Sequence, residues 1–202
     1  MRALLGLTLA AALCLMATSG LRAVDLTVGQ NQIYRAIAIG RGTDADRARF
    51  HDRYRLPVGD ATIERLDVLT AFRRVVVETE RRVQWGDHMF GARQGDELIK
   101  PWRAKVTFVL RLRFHPMNVF VTVPSYDIAV GAPDLEALDV RSTPISAMPA
   151  SNQKPGAHVA LVGAIVEADF DAAGIGQTTR VVSVRLDGRE LARATVDFSK
   201  VD

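Results

Sequence analysis

Two groupings in this chain of 202 residues carry the residue types of acid–base chemistry. Asp87 and His88 stand side by side in a glycine-rich stretch, Trp85-Gly86-Asp87-His88-Met89-Phe90-Gly91. Histidine titrates near neutrality and a carboxylate can orient its ring, so the pair is the start of a general acid–base couple. In Asp169-Phe170-Asp171 two carboxylates fall on one side of an extended strand. Paired carboxylates are what a glycosidase uses. Asp87, His88, Asp169 and Asp171 are therefore the candidate catalytic set of a small exported hydrolase. The competing reading is plainer: a loop histidine with ordinary hydrogen bonds, and a strand end turning into solvent.

Binding offers other candidates. Trp85 and Trp102 flank the glycine-rich stretch, and two indoles in an aromatic-poor chain can rim a ligand site or pack in a core. Arg111 and Arg113 share a strand face with Lys105, a basic stripe suited to a carboxylate on a neighbouring strand or to an acidic partner. Arg111, Arg113, Trp85 and Trp102 are the candidate binding residues.

Several chemistries are improbable. His51, His88, His115 and His158 are not spaced as helix-borne ligand pairs, and no HExxH occurs. Asp169 and Asp171 lack the further oxygens of a calcium loop. There is no GxSxG, no phosphate-cradling loop and no dinucleotide fingerprint. No metal and no cofactor are expected.

The amino terminus points to export. Arg2 is followed by an apolar run over residues 3–16 and by small residues 17–20, the plan of a secretory signal peptide. Residues 1–23 are assigned to it, with cleavage after Ala23 favoured over Ser19. The alternative is an uncleaved anchor through residues 3–21, which would bring membrane association. Cys14 is the only cysteine and lies in this run. A cleaved chain thus has no disulfide and no thiolate, and stands on its apolar core alone. Residues 1–23 hold Arg2 and Arg22 and no acid, leaving 24 basic against 23 acidic residues. So even a balance argues against nucleic acid as a partner.

These residues need elements to hold them. Val106, Phe108, Leu110, Leu112 and Phe114 alternate with Thr107, Arg111 and Arg113, a period of two that reads as a strand. Val119, Val121 and Val123 resume the alternation, which predicts a hairpin over 105–130 turning near Pro116 and Met117. Residues 24–39 read as one or two strands. Thr43, Asp44 and Asp46 predict a helix start, with Phe50 and Tyr54 as its apolar line. Spacing near 3.6 predicts a helix over 61–83, against which Leu66, Val68, Thr70 and Phe72 also fit a strand. Residues 85–95 read as a loop, and 131–156 as a long irregular connection with at most a short strand at 138–141. Residues 158–170 read as a strand broken near Gly163. A last hairpin turns around Asp187-Gly188 through a three-residue loop, Asp187-Gly188-Arg189, with a bulge, setting Val182 against Ala194 and Val184 against Ala192, because that register buries one face.

The expected fold is mainly β (α+β): an antiparallel β-sandwich, immunoglobulin-like in general architecture. It is one domain over 24–202, with a helical insertion at about 43–83 and one or two helices in its amino-terminal half. The expected function is a periplasmic or secreted envelope protein without catalytic activity, an adaptor or assembly subunit with a protein partner or a second copy. The hydrolase and a small-ligand binding module are the alternatives.

Overall fold

The computed structural model describes residues 28–147 and 160–201. The expectations for residues 1–23, Cys14, residues 24–27, residues 148–156 and His158 fall outside them. The chain is mainly β, with two antiparallel sheets and several helices. In order it forms α1 (Gln30–Gly40), α2 (Asp44–Asp52), β1 (Arg55–Leu56), β2 (Ile63–Leu69), α3 (Ala71–Gln84), α4 (Ala92–Ile99), β3 (Lys105–Arg113), β4 (Tyr126–Val130), β5 (Asp139–Ser146), β6 (Leu161–Asp171), α5 (Ala172–Ile175), β7 (Thr179–Leu186) and β8 (Arg189–Asp197). One sheet runs β1-β2-β3-β6-β5 and the other β4-β7-β8.

The alternation in β3 makes it the central strand. Val68, Phe108 and Ala168 lie in one row across β2, β3 and β6, and Leu66, Leu110 and Val166 in the next, all buried. Phe108 meets Phe170 edge to face at 5.5 Å, and Phe198, just past β8, at 6.3 Å. On the opposite face of these strands lie Thr107, Arg111, Glu167 and Asp169.

The expected hairpin over 105–130 does not form. β3 is hydrogen-bonded to β2 on one side and β6 on the other, so it has no free edge for Val119, Val121 and Val123. The chain instead crosses to the second sheet, where β4 pairs with β7. Residues 33–39, expected as strand, lie in a helix instead. Ile33, Ala36, Ile37 and Gly40 form one buried stripe at helical spacing. The expected long helix divides: β2 uses the period of two through Leu66 and Val68, Thr70 caps through its hydroxyl, and α3 starts at Ala71. The segment 43–83 is therefore not a helical insertion, since β1 and β2 lie within it. Residues 85–95 include the start of α4, and among the described residues the amino-terminal half holds four α-helices rather than one or two. In the connection, β5 runs eight residues, longer than the short strand expected; Pro144 is tolerated because β5 is an edge.

Thr43 caps α2 as its position suggests, accepting from the Asp46 N–H at 3.2 Å, and Phe50 and Tyr54 are buried ring to ring at 4.9 Å. The last hairpin has the anticipated register, Val182 against Ala194 and Val184 against Ala192. Its loop has two residues, not three. Asp187 and Gly188 take φ of 49° and 78°, and the extra residue is absorbed as a bulge at Leu191.

β6 is continuous through Gly163, where a break was expected. The glycine serves a close approach instead: an added Cβ would run into the carbonyl oxygen of Leu112 on β3. Gly163→Ala is expected to cost about 1–3 kcal/mol, the range for forcing bulk into a packed site. Urea denaturation measures it, and an unchanged midpoint would refute the close approach.

Candidate functional site

A dense polar cluster forms where α3, the turn after α4, and strands β3, β6 and β5 meet. Thr70 fixes the start of α3 and so places Arg74 in its first turn. Pro101 sits in the single 3-10 turn Lys100–Trp102 that delivers Trp102. The Arg74 guanidinium lies 3.6 Å from the centre of the Trp102 ring; Lys105 Nζ and Arg141 Cζ are each 5.7 Å from it. Beneath them Asp169 is fully buried. Thr107 Oγ1 donates to Asp169 Oδ1 at 2.6 Å and accepts from Arg74 at 2.6 Å. Arg141 donates to both Asp169 oxygens, at 3.0 and 3.3 Å. It also pairs with Asp139 and, at 3.5 Å, with Glu167. Lys105 Nζ stands 4.0 Å from Asp169.

The electrostatics follow from this geometry. Burial pushes the Asp169 carboxyl up, but the bonds from Arg141 and Thr107 and the charge of Lys105 outweigh it, so it stays below the usual aspartate range. Burial pushes Arg74 down to about 10, with Asp169 and Glu167 pulling the other way. The hydrogen bonds to Asp169 hold Arg141 above the usual arginine value. Arg74 also sits at the positive end of the α3 dipole. Among the described residues it has no carboxylate within 4 Å.

Asp169 is not placed to act as a general base at neutral pH. A general base works near the ambient pH, and Asp169 is held far below it. What the arrangement does offer is a rigid cross-link between elements and a cation spread on an indole.

The sequence-derived candidates separate. Trp102 and Asp169 join the cluster. Asp171 caps α5, accepting from the Ala173 N–H at 3.2 Å. Asp87 lies just beyond the carboxyl end of α3, and the helix from Arg74 to that end is about 15 Å long by helical rise. Asp87 accepts from Arg82 at 2.8 Å and from the Met89 N–H at 2.9 Å, and the Arg82 bond is the main cause of its lowered pKa. The His88 carbonyl accepts from Arg41 at 2.9 Å, and its ring makes no hydrogen bond among the described residues. Trp85 ends α3, 70% exposed, with Arg81 stacked on it at 4.5 Å. The two tryptophans thus stand at opposite ends of α3 and share no mouth. Arg111 and Arg113 both reach Glu64 on β2, at 3.2 and 3.5 Å. Arg74, Thr107 and Arg141 were not singled out from sequence. Thr107, a lone small polar residue between Val106 and Phe108, carried the one local signal.

A second feature is the loop 114–125. No Asp, Glu, Lys or Arg occurs in it. Met117 is 82% exposed, Val119 86% and Val121 61%. Its backbone is tied inward. The Met117 N–H donates to His115 Nδ1 at 3.1 Å, the Phe120 N–H to Asn118 Oδ1 at 2.9 Å, and Asn118 Nδ2 to the Leu161 carbonyl at 2.9 Å. Phe120 rests on Phe114 at 5.1 Å.

Among the described residues no group of three or more His, Cys, Asp or Glu is placed to hold a metal, and no helix is long and apolar enough to cross a membrane. No family model matches the chain, and neither a curated protein nor a solved structure matches it.

Proposed function

We propose that this is an exported envelope protein without catalytic activity, an adaptor or assembly subunit that docks a protein partner on the loop 114–125. The observation that carries it is the exposure of Met117, Val119 and Val121 in an uncharged loop whose backbone is held by Asn118. Contiguous apolar side chains held out in water are costly unless a partner covers them. Export, to the periplasm or beyond, rests on residues 1–23. The finer architecture in this reading is a sandwich of the general immunoglobulin type, supported by the Phe108 ring against Phe198.

The hydrolase alternative gains little, because Asp87 and His88 lie far along α3 from Asp169 and Asp171. The ligand-module alternative keeps one point in its favour: Arg74 on Trp102, a cation without a carboxylate within 4 Å among the described residues.

The test is site-specific photo-crosslinking in the native envelope. A photoreactive residue at Val119 is expected to capture one companion in stoichiometric yield. The same residue at Val181, also exposed, should not capture it. Val119→Asp with Val121→Asp should abolish its co-purification at unchanged melting temperature. A loop that captures nothing, or a companion indifferent to the two aspartates, overturns the proposal.

A further inference from the structure

The helix α2 is lightly held, since Phe50 is its one buried side chain. Its polar ties centre on His51, in its last turn. The imidazole joins α2 to α3 through both ring nitrogens. Nε2 lies 2.7 Å from Glu80 Oε1, and Nδ1 accepts from Arg73 Nε at 3.3 Å. A carboxylate on one side and a guanidinium on the other fix the tautomer: Nε2 carries the proton and Nδ1 a lone pair. Arg73 is anchored on its other sides. Its Nη1 donates to the Val68 carbonyl at 2.7 Å, its Nη2 to Asp67 at 3.3 Å, and the Tyr54 ring lies 5.0 Å from its Cζ.

We propose that His51 is a proton-controlled latch that holds α2 on α3. The charges around the ring balance only while it is neutral. Arg47 on α2 and Arg73 on α3 stand against Glu80 on α3 and Asp67 on β2, and each of these side chains is less than a fifth exposed. Arg65 on β2, 2.5 Å from Asp67, adds more positive charge. Protonation places an N–H at Nδ1, facing the Arg73 N–H, so a bond becomes a contact of two donors. It also brings a third buried cation to two carboxylates. Glu80 attracts the imidazolium, but Arg47 Nε, 4.0 Å away, already shares its charge, and the pull draws the ring off Arg73. Arg73 is anchored and Glu80 lies within α3, so the side that yields is α2. The sign is definite: the latch is closed above the ordinary histidine range and opens as pH falls through it. The crevice between α1 and α2, lined by Ala38, Ile39 and Phe50, widens as it opens. The proposal stands on this network alone and not on the loop 114–125.

Hydrogen exchange of the full chain, read peptide by peptide and corrected for the intrinsic effect of pH on exchange, tests it. Between about pH 7.5 and about pH 5.5 histidines change charge while ordinary carboxylates stay ionised. Over that interval protection across α2 is expected to fall about tenfold or more, the scale of one hydrogen bond to a charged group. The central strand β3 should keep its protection. His51→Gln takes up no proton in this range, so exchange across α2 should become the same at both pH values. Nitrogen-15 spectra of the imidazole rings give a check that needs no variant: at neutral pH His51 should carry its proton on Nε2. Wild-type protection of α2 that ignores pH, a pH response that persists in His51→Gln, or a neutral ring protonated on Nδ1 would overturn the proposal.

Discussion

Phe108→Ala is expected to cost about 3–5 kcal/mol, the range for emptying an aromatic site in a core. The ring is wholly buried on the central strand, between Val68 and Ala168 in its row, and it holds Phe170 and Phe198 edge to face. Its loss removes transfer energy and two aromatic contacts together, and it parts the large sheet from the end of β8. Domains of this size are stable by only about 5–15 kcal/mol, so the variant should be marginal at 37 °C. Urea denaturation followed by tryptophan emission will measure it. A loss under about 1 kcal/mol would mean that the two sheets do not depend on this contact. Phe108→Leu keeps most of the volume and should recover a good part of the stability.

The second large effect belongs to Asp169. Asp169→Asn keeps the shape but removes the charge that takes both Arg141 bonds and the Thr107 hydroxyl. The expected cost at neutral pH is about 2–3 kcal/mol, the scale of hydrogen bonds to a charged group. It stays below that of a fully buried pair because Arg141 is partly exposed and its freed charge can reach water. The pH dependence has a definite sign. The folded carboxyl titrates below its unfolded value, so its contribution is complete above the ordinary aspartate range and is lost as pH falls through the depressed value. Wild type and variant should therefore differ most at neutral pH and converge in acid. Denaturation at pH 7 and at the lowest pH where both still fold gives the comparison. A gap that is the same at both would show that the charge of Asp169 is not what stabilises the site.

Local signals were sufficient where one element decides its own shape. The alternation from Val106 to Phe114 needs only the geometry of an extended chain, and β3 is where it indicates. Thr43 before Asp44 and Asp46 is a cap whose partners lie within one turn, and α2 follows it. The last hairpin shows how far this reaches. Burying Val182, Val184, Ala192, Ala194 and Val196 together admits one register, whichever way the loop absorbs the odd residue.

Where neighbours decide, the sequence was silent or misleading. Val119, Val121 and Val123 alternate as well as β3 does, yet β6 had already taken the edge they needed, from fifty residues further along. Ile33, Ile37 and Ile39 fit a period of two, while Ile33, Ala36 and Ile37 fit a helical stripe; packing against α3 goes with the helix. The polar cluster at Trp102 is the clearest case. Arg74, Thr107, Arg141 and Asp169 come from one helix and three strands, and nothing in their local spacing relates them. By itself the sequence determined the periodicities, the caps and the turn residues, because those depend on atoms a few positions apart. Which strands pair, in what order they lie in each sheet, and which carboxylate is buried under which guanidinium were decided by the tertiary structure, because each depends on segments that only folding brings into contact.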